Sequence, residues 1–313
     1  MRYNNTVNLK KINTIKSGIP LKDYSSFGIG GPAKYFFEAH TASELAHALY
    51  FAKKNRLRFF VLGGGTNVLF KDDGFDGLIV RFLGSKAVFR GVHAIIEAGA
   101  NLQKIVLDSI QAGLSGLEKL SGIPGTIGGA VRGNAGTREG QISDFVESVK
   151  VFDTATLKVR VLKKPDLKFS YRNSLFKTRH DLIILSVVLK LKKAKNPNEI
   201  LAVIKRAAER RKKTQPAGLS AGCVFMNPHI RRQFSLKTAP LTAASLIAGE
   251  LIDKAGLKGT KIGGAMISKL HGNFFINCGN ATFDDMIRLI NLAKKRVYEK
   301  FKIRLKEEIE IVL

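Results

Sequence analysis

Arg58-Phe59-Phe60-Val61-Leu62-Gly63-Gly64-Gly65-Thr66-Asn67 decides the fold class, because an apolar run passes straight into three glycines. The run reads as a buried strand and the glycines as a turn at its C-terminal end. Upstream, Thr41 and Glu44 form a capping-box pair ahead of Leu45, Ala48, Leu49 and Ala52, which predicts a helix over 42–54. Downstream, residues 77–82 read as a second short strand. Helix, strand, glycine turn and strand make an α/β unit.

Farther along, 92–97, 146–152, 160–162 and 182–191 read as strands, the last strongly apolar and rich in β-branched residues. A helix near 101–113 is expected to end at Gly113. Between them lies Ser121-Gly122-Ile123-Pro124-Gly125-Thr126-Ile127-Gly128-Gly129-Ala130-Val131-Arg132-Gly133-Asn134-Ala135-Gly136. Six glycines in 16 residues are too many for a packed helix or strand. Such a path costs stability unless it serves a ligand. A helix over 197–213 is signalled by Asn196 as cap, Pro197 at the first position and Glu199 at the third. The chain changes character at Gln215-Pro216-Ala217-Gly218, a domain boundary. A last helix begins with Thr282 and Asp285 and carries Ile287, Ile290, Ala293, Val297 and Phe301. Then Ile303, Leu305, Ile309 and Ile311 alternate with Lys306, Glu308 and Glu310, as in an edge or half-exposed strand.

The 313 residues, 45% of them hydrophobic, exclude a disordered chain, and two cysteines exclude a disulfide framework. The formal net charge of +27 invites nucleic acid, anionic lipid or anionic small molecules. The basic residues recur as separate clusters, Lys53-Lys54-Asn55-Arg56, Lys190-Leu191-Lys192-Lys193, Arg210-Arg211-Lys212-Lys213 and Lys294-Lys295-Arg296. That scatter reads as solvated charge rather than one binding arm. Residues 1–10 hold no apolar signal core, and no apolar run reaches the roughly 18 residues a membrane span needs. A soluble, cytoplasmic protein without membrane insertion is expected.

The loop Gly63, Gly64, Gly65, Thr66, Asn67 fits an anion-binding nest or a tight surface turn, and lacks both the Rossmann and the P-loop pattern. The loop around Asn134 reads as a ligand site. Cys223, in Ser220-Ala221-Gly222-Cys223-Val224-Phe225, is a nucleophile, a general acid or core packing. Cys278, in Phe274-Phe275-Ile276-Asn277-Cys278, reads as a strand-borne core residue. The cysteines are 55 residues apart, and His40, His47, His93, His180, His229 and His271 show no ligand spacing, so no metal is expected. His40 and His47 read as helix-flanking surface residues. Arg172, in Tyr171-Arg172-Asn173-Ser174, can clamp a carboxylate with its planar fork or form an ordinary ion pair. Glu308 by itself reads as a solvated charge.

Together these blocks resemble a known family. In order they are Ser25-Ser26-Phe27-Gly28-Ile29-Gly30-Gly31-Pro32-Ala33, the 62–69 loop, the 122–136 loop, Tyr171-Arg172-Asn173-Ser174, Ser220-Ala221-Gly222-Cys223-Val224-Phe225-Met226-Asn227-Pro228, the stretch 248–259 and Ser268-Lys269-Leu270-His271-Gly272-Asn273-Phe274. From about residue 20 to 310 they resemble the UDP-N-acetylenolpyruvoylglucosamine reductases, the MurB family of peptidoglycan synthesis. The resemblance implies an α+β protein: a two-part FAD-binding fold of the vanillyl-alcohol-oxidase-like type plus a C-terminal α/β substrate-binding domain. The expected domains are 1–81 with 302–313, 82–214 and 215–301, in the shorter subtype of the family. By the same resemblance, Gly63, Gly64, Gly65, Thr66 and Asn67 hold the FAD pyrophosphate. Gly122, Ile123, Pro124, Gly125, Gly128, Gly129, Ala130, Asn134, Ala135 and Gly136 lie along the flavin and adjoining phosphates. Tyr171, Arg172, Asn227, His271 and Asn273 are expected to meet the substrate.

The family's reaction passes hydride from NADPH to FAD and from the flavin N5 to the enolpyruvyl double bond of UDP-N-acetylglucosamine enolpyruvate, giving UDP-N-acetylmuramate. The negative charge that develops needs a cation or acid aimed at it. Arg172 and Glu308 occupy the family positions for that task. The family places the acid before a β-branched residue, which selects Glu308 ahead of Ile309 over its neighbour Glu307. To donate, Glu308 must be protonated, so burial is expected to raise its pKa. The family commonly has Ser where this chain has Cys223; a thiol, of pKa about 8.5, is mostly protonated near neutral pH and can act as the general acid. Met226 stands where the family often has Lys. FAD, NADPH and the UDP-sugar are anionic, in keeping with the basic balance. A monomer without a specific nucleic-acid partner is expected. A different FAD oxidoreductase on this fold would lack the Tyr-Arg-x-Ser and Ser-x-Gly-Cys blocks. A nucleic-acid binder would carry a basic stripe with exposed aromatics. A noncatalytic relative is favoured only by Cys223.

Overall fold

Thr41 starts the first helix by accepting the Glu44 N–H on its hydroxyl at 3.1 Å, and Glu44 returns a carboxylate to the His40 N–H at 2.8 Å. The reciprocal bond thus lands one residue before the expected cap. The helix, α1 (Ala42–Lys54), buries Leu45, Ala46, Ala48, Leu49 and Ala52. His47 lies within it and is half-buried, so only His40 is the exposed flanking histidine. In this computed structural model residues 15–228 and 247–313 are described; the expectations for residues 1–10 and His229 lie outside them. The described chain divides into two units. The first comprises 15–19, 33–65 and 76–211, and the second 20–32, 66–75, 212–228 and 247–313.

The first unit begins with a four-stranded sheet in the order Ile19–Pro20, Pro32–Ala39, Phe75–Phe82, Arg58–Leu62. Arg58–Leu62 pairs in parallel with Phe75–Phe82, with Phe60 opposite Ile79. It ends the sheet, so one side has no strand neighbour, and only Leu62 is buried rather than the whole run. A five-stranded antiparallel sheet follows, ordered Lys158–Lys163, Val146–Asp153, Leu182–Lys190, His93–Glu97, Ala87–Arg90. Leu182–Lys190 lies at its centre, which accounts for its near-continuous apolar sequence. α2 (Leu102–Gln111) is capped by the Asn101 side chain on the Lys104 N–H at 2.9 Å. The glycine-rich stretch contains a short helix, α3 (Ile127–Gly133), where no helix was expected. Thr126 caps it at one end, Asn134 closes it in a left-handed conformation at the other, and buried Ile127, Ala130 and Val131 anchor it. α4 (Pro197–Thr214) follows, with the Asn196 side chain accepting the Asn198 and Glu199 N–H groups. One core joins Leu78 and Val80 of the first sheet to Val149, Val187 and Leu189 of the second.

The second unit holds α5 (Ala248–Lys254), the sheet Lys261–Ile262, Ala265–Ile267, Phe275–Asn277, and α6 (Phe283–Phe301). Thr282 and Asp285 form the expected capping box. Asp285 also accepts the Gly264 N–H at 3.1 Å, and these backbone bonds hold its carboxyl below the usual value of 3.8. The buried stripe of α6 is Met286, Leu289, Ile290, Ala293 and Val297; Ile287 and Phe301 flank it, half-buried. The alternating stretch 303–311 is a strand only at Glu310–Val312, which pairs in parallel with Val68–Phe70. Ahead of it the chain makes single bridges instead, among them Glu307 with Phe225. Cys278 is exposed rather than in the core. The strand stops at Asn277, whose side chain accepts the Gly279 and Ala281 N–H groups and turns the chain outward. Mixed parallel and antiparallel sheets beside segregated helices make the fold α+β, as expected. Among the described residues no helix is long and apolar enough to cross a membrane.

Candidate active site

In the first unit the two glycine loops meet. A Cβ on Gly63 would lie 2.7 Å from Thr126 Oγ1, closer than a methyl group tolerates. Thr126 is the cap of α3 and accepts the Gly129 N–H at 3.2 Å. A Cβ on Gly128 would lie 2.8 Å from the Ala98 Cβ, and the Gly128 N–H bonds the Ala98 carbonyl at 2.8 Å. The entry to the second loop is fixed by Gln103 of α2. Its carbonyl accepts the Gly122 N–H at 2.6 Å, and its amide donates to the Ile123 carbonyl at 2.7 Å and the Leu120 carbonyl at 3.2 Å. Nothing in the sequence marked Gln103, since a lone polar residue on a helix carries no pattern. The result is a surface of peptide groups with few side chains in the way, the kind that receives phosphate and flat rings.

Tyr171 and Arg172 sit at the tip of a two-residue turn. Ser170 and Asn173 exchange backbone hydrogen bonds at 3.1 Å in both directions. Arg172 has φ +52°, a left-handed conformation that an arginine adopts only under constraint. The constraints are visible. Arg172 Nη2 donates to the Gly136 carbonyl at 2.7 Å, Ser174 Oγ to the Arg132 carbonyl at 2.7 Å, and Asn134 Nδ2 to the Ser170 carbonyl at 2.8 Å. Fully buried Asn134 also donates to Gln141 and accepts the Ser143 N–H, so its amide ties protein segments together. The guanidinium lies 5.4 Å from the centre of the Tyr171 ring. Gly63 to Gly65, the 122–136 loop, Tyr171 and Arg172 thus share the first unit.

The second unit brings together Thr66, Asn67, Cys223, Asn227, His271, Asn273 and Glu308. Cys223 is half-buried and bridges Phe274. Buried Asn273 clamps the next peptide: its Oδ1 accepts the Phe225 N–H at 2.9 Å, its Nδ2 donates to the Phe225 carbonyl at 2.8 Å, and its own carbonyl accepts the Val224 N–H at 2.9 Å. The Glu308 N–H donates to the Val224 carbonyl at 2.8 Å, so the Cys223 and Glu308 segments are bonded side by side. Asn67 Nδ2 donates to the Glu308 carbonyl at 3.0 Å. Glu307 is engaged elsewhere, with its carboxylate 2.9 Å from Lys294 Nζ on α6. Asn227 accepts the Ala248 N–H at 3.0 Å. His271 stacks edge-on against Phe274 at 4.8 Å, and its Nδ1 accepts the Asn273 N–H at 3.1 Å, which puts the neutral ring's proton on Nε2. Burial, and then the Lys258 cation, push its pKa below the usual 6.5. Among the described residues no three His, Cys, Asp or Glu side chains are grouped to hold a metal ion.

The chain is similar to known proteins over most of its length. The family described as "UDP-N-acetylenolpyruvoylglucosamine reductase, C-terminal domain" matches residues 214–312, and the family described as "FAD binding domain" matches 33–162. A UDP-N-acetylenolpyruvoylglucosamine reductase of Caldicellulosiruptor bescii is 39% identical over 94% of this chain and 89% of its own length. One of Alkaliphilus oremlandii is 36% identical over 94% and 91%. The crystal structure of the reductase of Thermus caldophilus superposes with a TM-score of 0.78 at 36% identity, covering 96% of this chain and 99% of that one. At Gly63 and Gly128 a Cβ would collide with Thr126 and Ala98, so these loops leave peptide groups rather than side chains at the surface, which fits the phosphates of a flavin dinucleotide.

Proposed function

The chain belongs to the UDP-N-acetylenolpyruvoylglucosamine reductase family, and we propose that it uses NADPH to reduce the enolpyruvyl group of UDP-N-acetylglucosamine enolpyruvate to UDP-N-acetylmuramate. It is an FAD-containing oxidoreductase of peptidoglycan precursor synthesis. Gly63, Gly64, Gly65, Thr66 and Asn67 and the loop 122–136 hold the cofactor. When bound there, FAD supplies the hydride chemistry. Product differs from substrate by one hydride and one proton, and the proton is the protein's contribution.

Arg172, Glu308 and Cys223 divide that work. The Arg172 guanidinium faces the substrate carboxylate, where negative charge develops, and its strained turn fixes the direction of the fork. The Glu308 carboxyl donates a hydrogen bond to the substrate. Cys223 Sγ gives its proton to the α-carbon, and the thiolate left behind is reprotonated from solvent. Tyr171, Asn227 and His271 line the substrate, and Asn273 serves it through the Phe225 peptide that it clamps. The threefold division into 1–81 with 302–313, 82–214 and 215–301, a cytoplasmic monomer and the absence of a nucleic-acid partner belong to the same proposal.

The observation that carries this reading is the Glu308 N–H to Val224 carbonyl bond, which sets the two proposed proton donors on adjacent segments. The Lys294–Glu307 ion pair supports the choice of Glu308 over its neighbour. The test is anaerobic spectroscopy of the purified protein. A flavin band that NADPH bleaches, and that the enolpyruvyl sugar then restores, is the expected result. A flavin that bleaches but is not restored by the sugar would move the chain to another substrate. A colourless protein that takes up no added FAD would overturn the reading.

A further inference from the structure

We infer that Asn67 is a positioning residue for the acid at Glu308, rather than only a part of the cofactor loop. The inference rests on the proposed role of Glu308. The sequence places Asn67 at the end of the Gly-Gly-Gly-Thr-Asn turn, where a contact to phosphate is the simple expectation. The structure turns its amide elsewhere. Asn67 Nδ2 donates to the Glu308 carbonyl at 3.0 Å, and the Asn67 carbonyl accepts the Glu310 N–H at 2.9 Å. One residue therefore holds the acid segment by both its side chain and its backbone. Immediately after it, Val68–Phe70 pairs in parallel with Glu310–Val312, Val68 lying opposite Glu310. Ser25 Oγ braces the same place by donating to the Val68 carbonyl at 3.2 Å.

Glu308 is thus fixed on both sides, its N–H by Val224 and its C=O by Asn67. A donor aimed at a developing charge works only within a few tenths of an ångström of its partner, and misplacement by about 1 Å costs up to ~100-fold in rate. The Val224–Glu308 bond and the Phe225–Glu307 bridge hold this segment on one side, and the Asn67 bonds and the pairing of Glu310–Val312 with Val68–Phe70 hold it on the other. Because Asn67 follows Gly65 and Thr66 directly in the chain, the residues that place the acid are continuous with those that hold the cofactor.

Asn67→Asp keeps the size of the side chain and removes the donor. In stopped-flow experiments on the FAD-loaded protein, restoration by the enolpyruvyl sugar is expected to slow about tenfold or more, and by a larger factor than bleaching by NADPH. Glu308 and Glu310 amide exchange in the FAD-loaded protein should quicken. Asn67→Ala, which removes the donor without adding charge, should behave alike. Weakened FAD binding with an unchanged restoration rate overturns the inference, as does unchanged amide exchange. Glu308→Gln separates the two levels. If it slows restoration and Asn67→Asp does not, the positioning role of Asn67 falls alone. If Glu308→Gln restores as fast as wild type, the role of Glu308 falls first.

Discussion

The first unit builds its site by leaving side chains out, and the second by holding particular side chains in place. Around Gly63 and Gly128 the backbone runs so close to Thr126 and Ala98 that a Cβ at either would collide. What remains is peptide, the kind of surface that receives phosphate and a flat ring. In the second unit the chemistry we propose rests on single groups, Cys223 Sγ and the Glu308 carboxyl; Asn67 ties the Glu308 carbonyl, and Asn273 ties Phe225, two residues past Cys223. Arg172 is the first unit's exception: one directional side chain, held by a strained turn on the edge of the glycine loop. The contrast implies that damage to the glycine loops of the first unit should weaken cofactor binding, and damage to Cys223 or Glu308 of the second should spare it and slow proton delivery.

Cys223→Ala should break the second unit most severely. Removing a general acid costs about 100- to 10,000-fold. Restoration of the flavin by substrate should fall by that factor while bleaching by NADPH is unchanged, as read in the two half-reactions separately. Cys223→Ser should recover part of the loss, and thiol alkylation of the wild type should mimic the alanine variant. Equal slowing of both half-reactions would erase the distinction between the units. The complementary lesion is Gly63→Val. Its Cβ would meet Thr126 Oγ1 at 2.7 Å, so either the loop or α3 must shift. Overpacking of this kind costs about 1–3 kcal/mol, which corresponds to roughly 5- to 150-fold in FAD affinity if the strain is released only in the free protein. Titration of apoprotein with FAD measures it; with FAD saturating, restoration by substrate should be close to wild type.

The two units also differed in how far the sequence announced them. Composition and periodicity revealed the scaffold, because the burial of Leu45, Leu49 and Ala52 or of the 182–190 strand repeats at fixed intervals. The glycine loops were visible as composition, yet α3 was not, since its seven residues are held by a Thr126 cap and three buried side chains rather than by helix propensity. The candidate side chains of the second unit were readable only through the family resemblance. Cys223, Asn273, Glu308 and Asn67 lie far apart in the chain, and no local pattern predicts that Val224 bonds Glu308 or that Asn67 bonds its carbonyl. Gln103 shows the same limit in the first unit: its three bonds at the loop entrance depend on folding, not on spacing. Likewise Glu307 and Glu308 are equivalent in composition until Lys294 of α6 takes one of them.

Mild acid gives the smallest effect and tests the contrast without any lesion to the chemistry. Asp76 and Asp181 of the first unit are held below the usual 3.8 by hydrogen bonds from Lys34 and Arg179. A lowered carboxyl contributes stability above its unfolded value, so theirs is lost only as pH falls below about 4. His271 of the second unit is lowered by burial and by Lys258, which itself pairs with Asp253 at 2.5 Å. For a base the sign is the reverse of a strengthened charge. As pH falls through about 6.5, the unfolded chain takes up the proton before the folded one does, so folding weakens until the folded ring also protonates. His271→Gln removes this proton and nothing else that titrates. Urea unfolding of both proteins between about pH 8 and pH 5 should show the wild type losing stability relative to the variant only below about pH 6.5, with other titrations cancelling in the difference. A difference that stays constant across that range would mean that the Lys258 cation and the packing against Phe274 and Gly249 do not resist the charge on the ring.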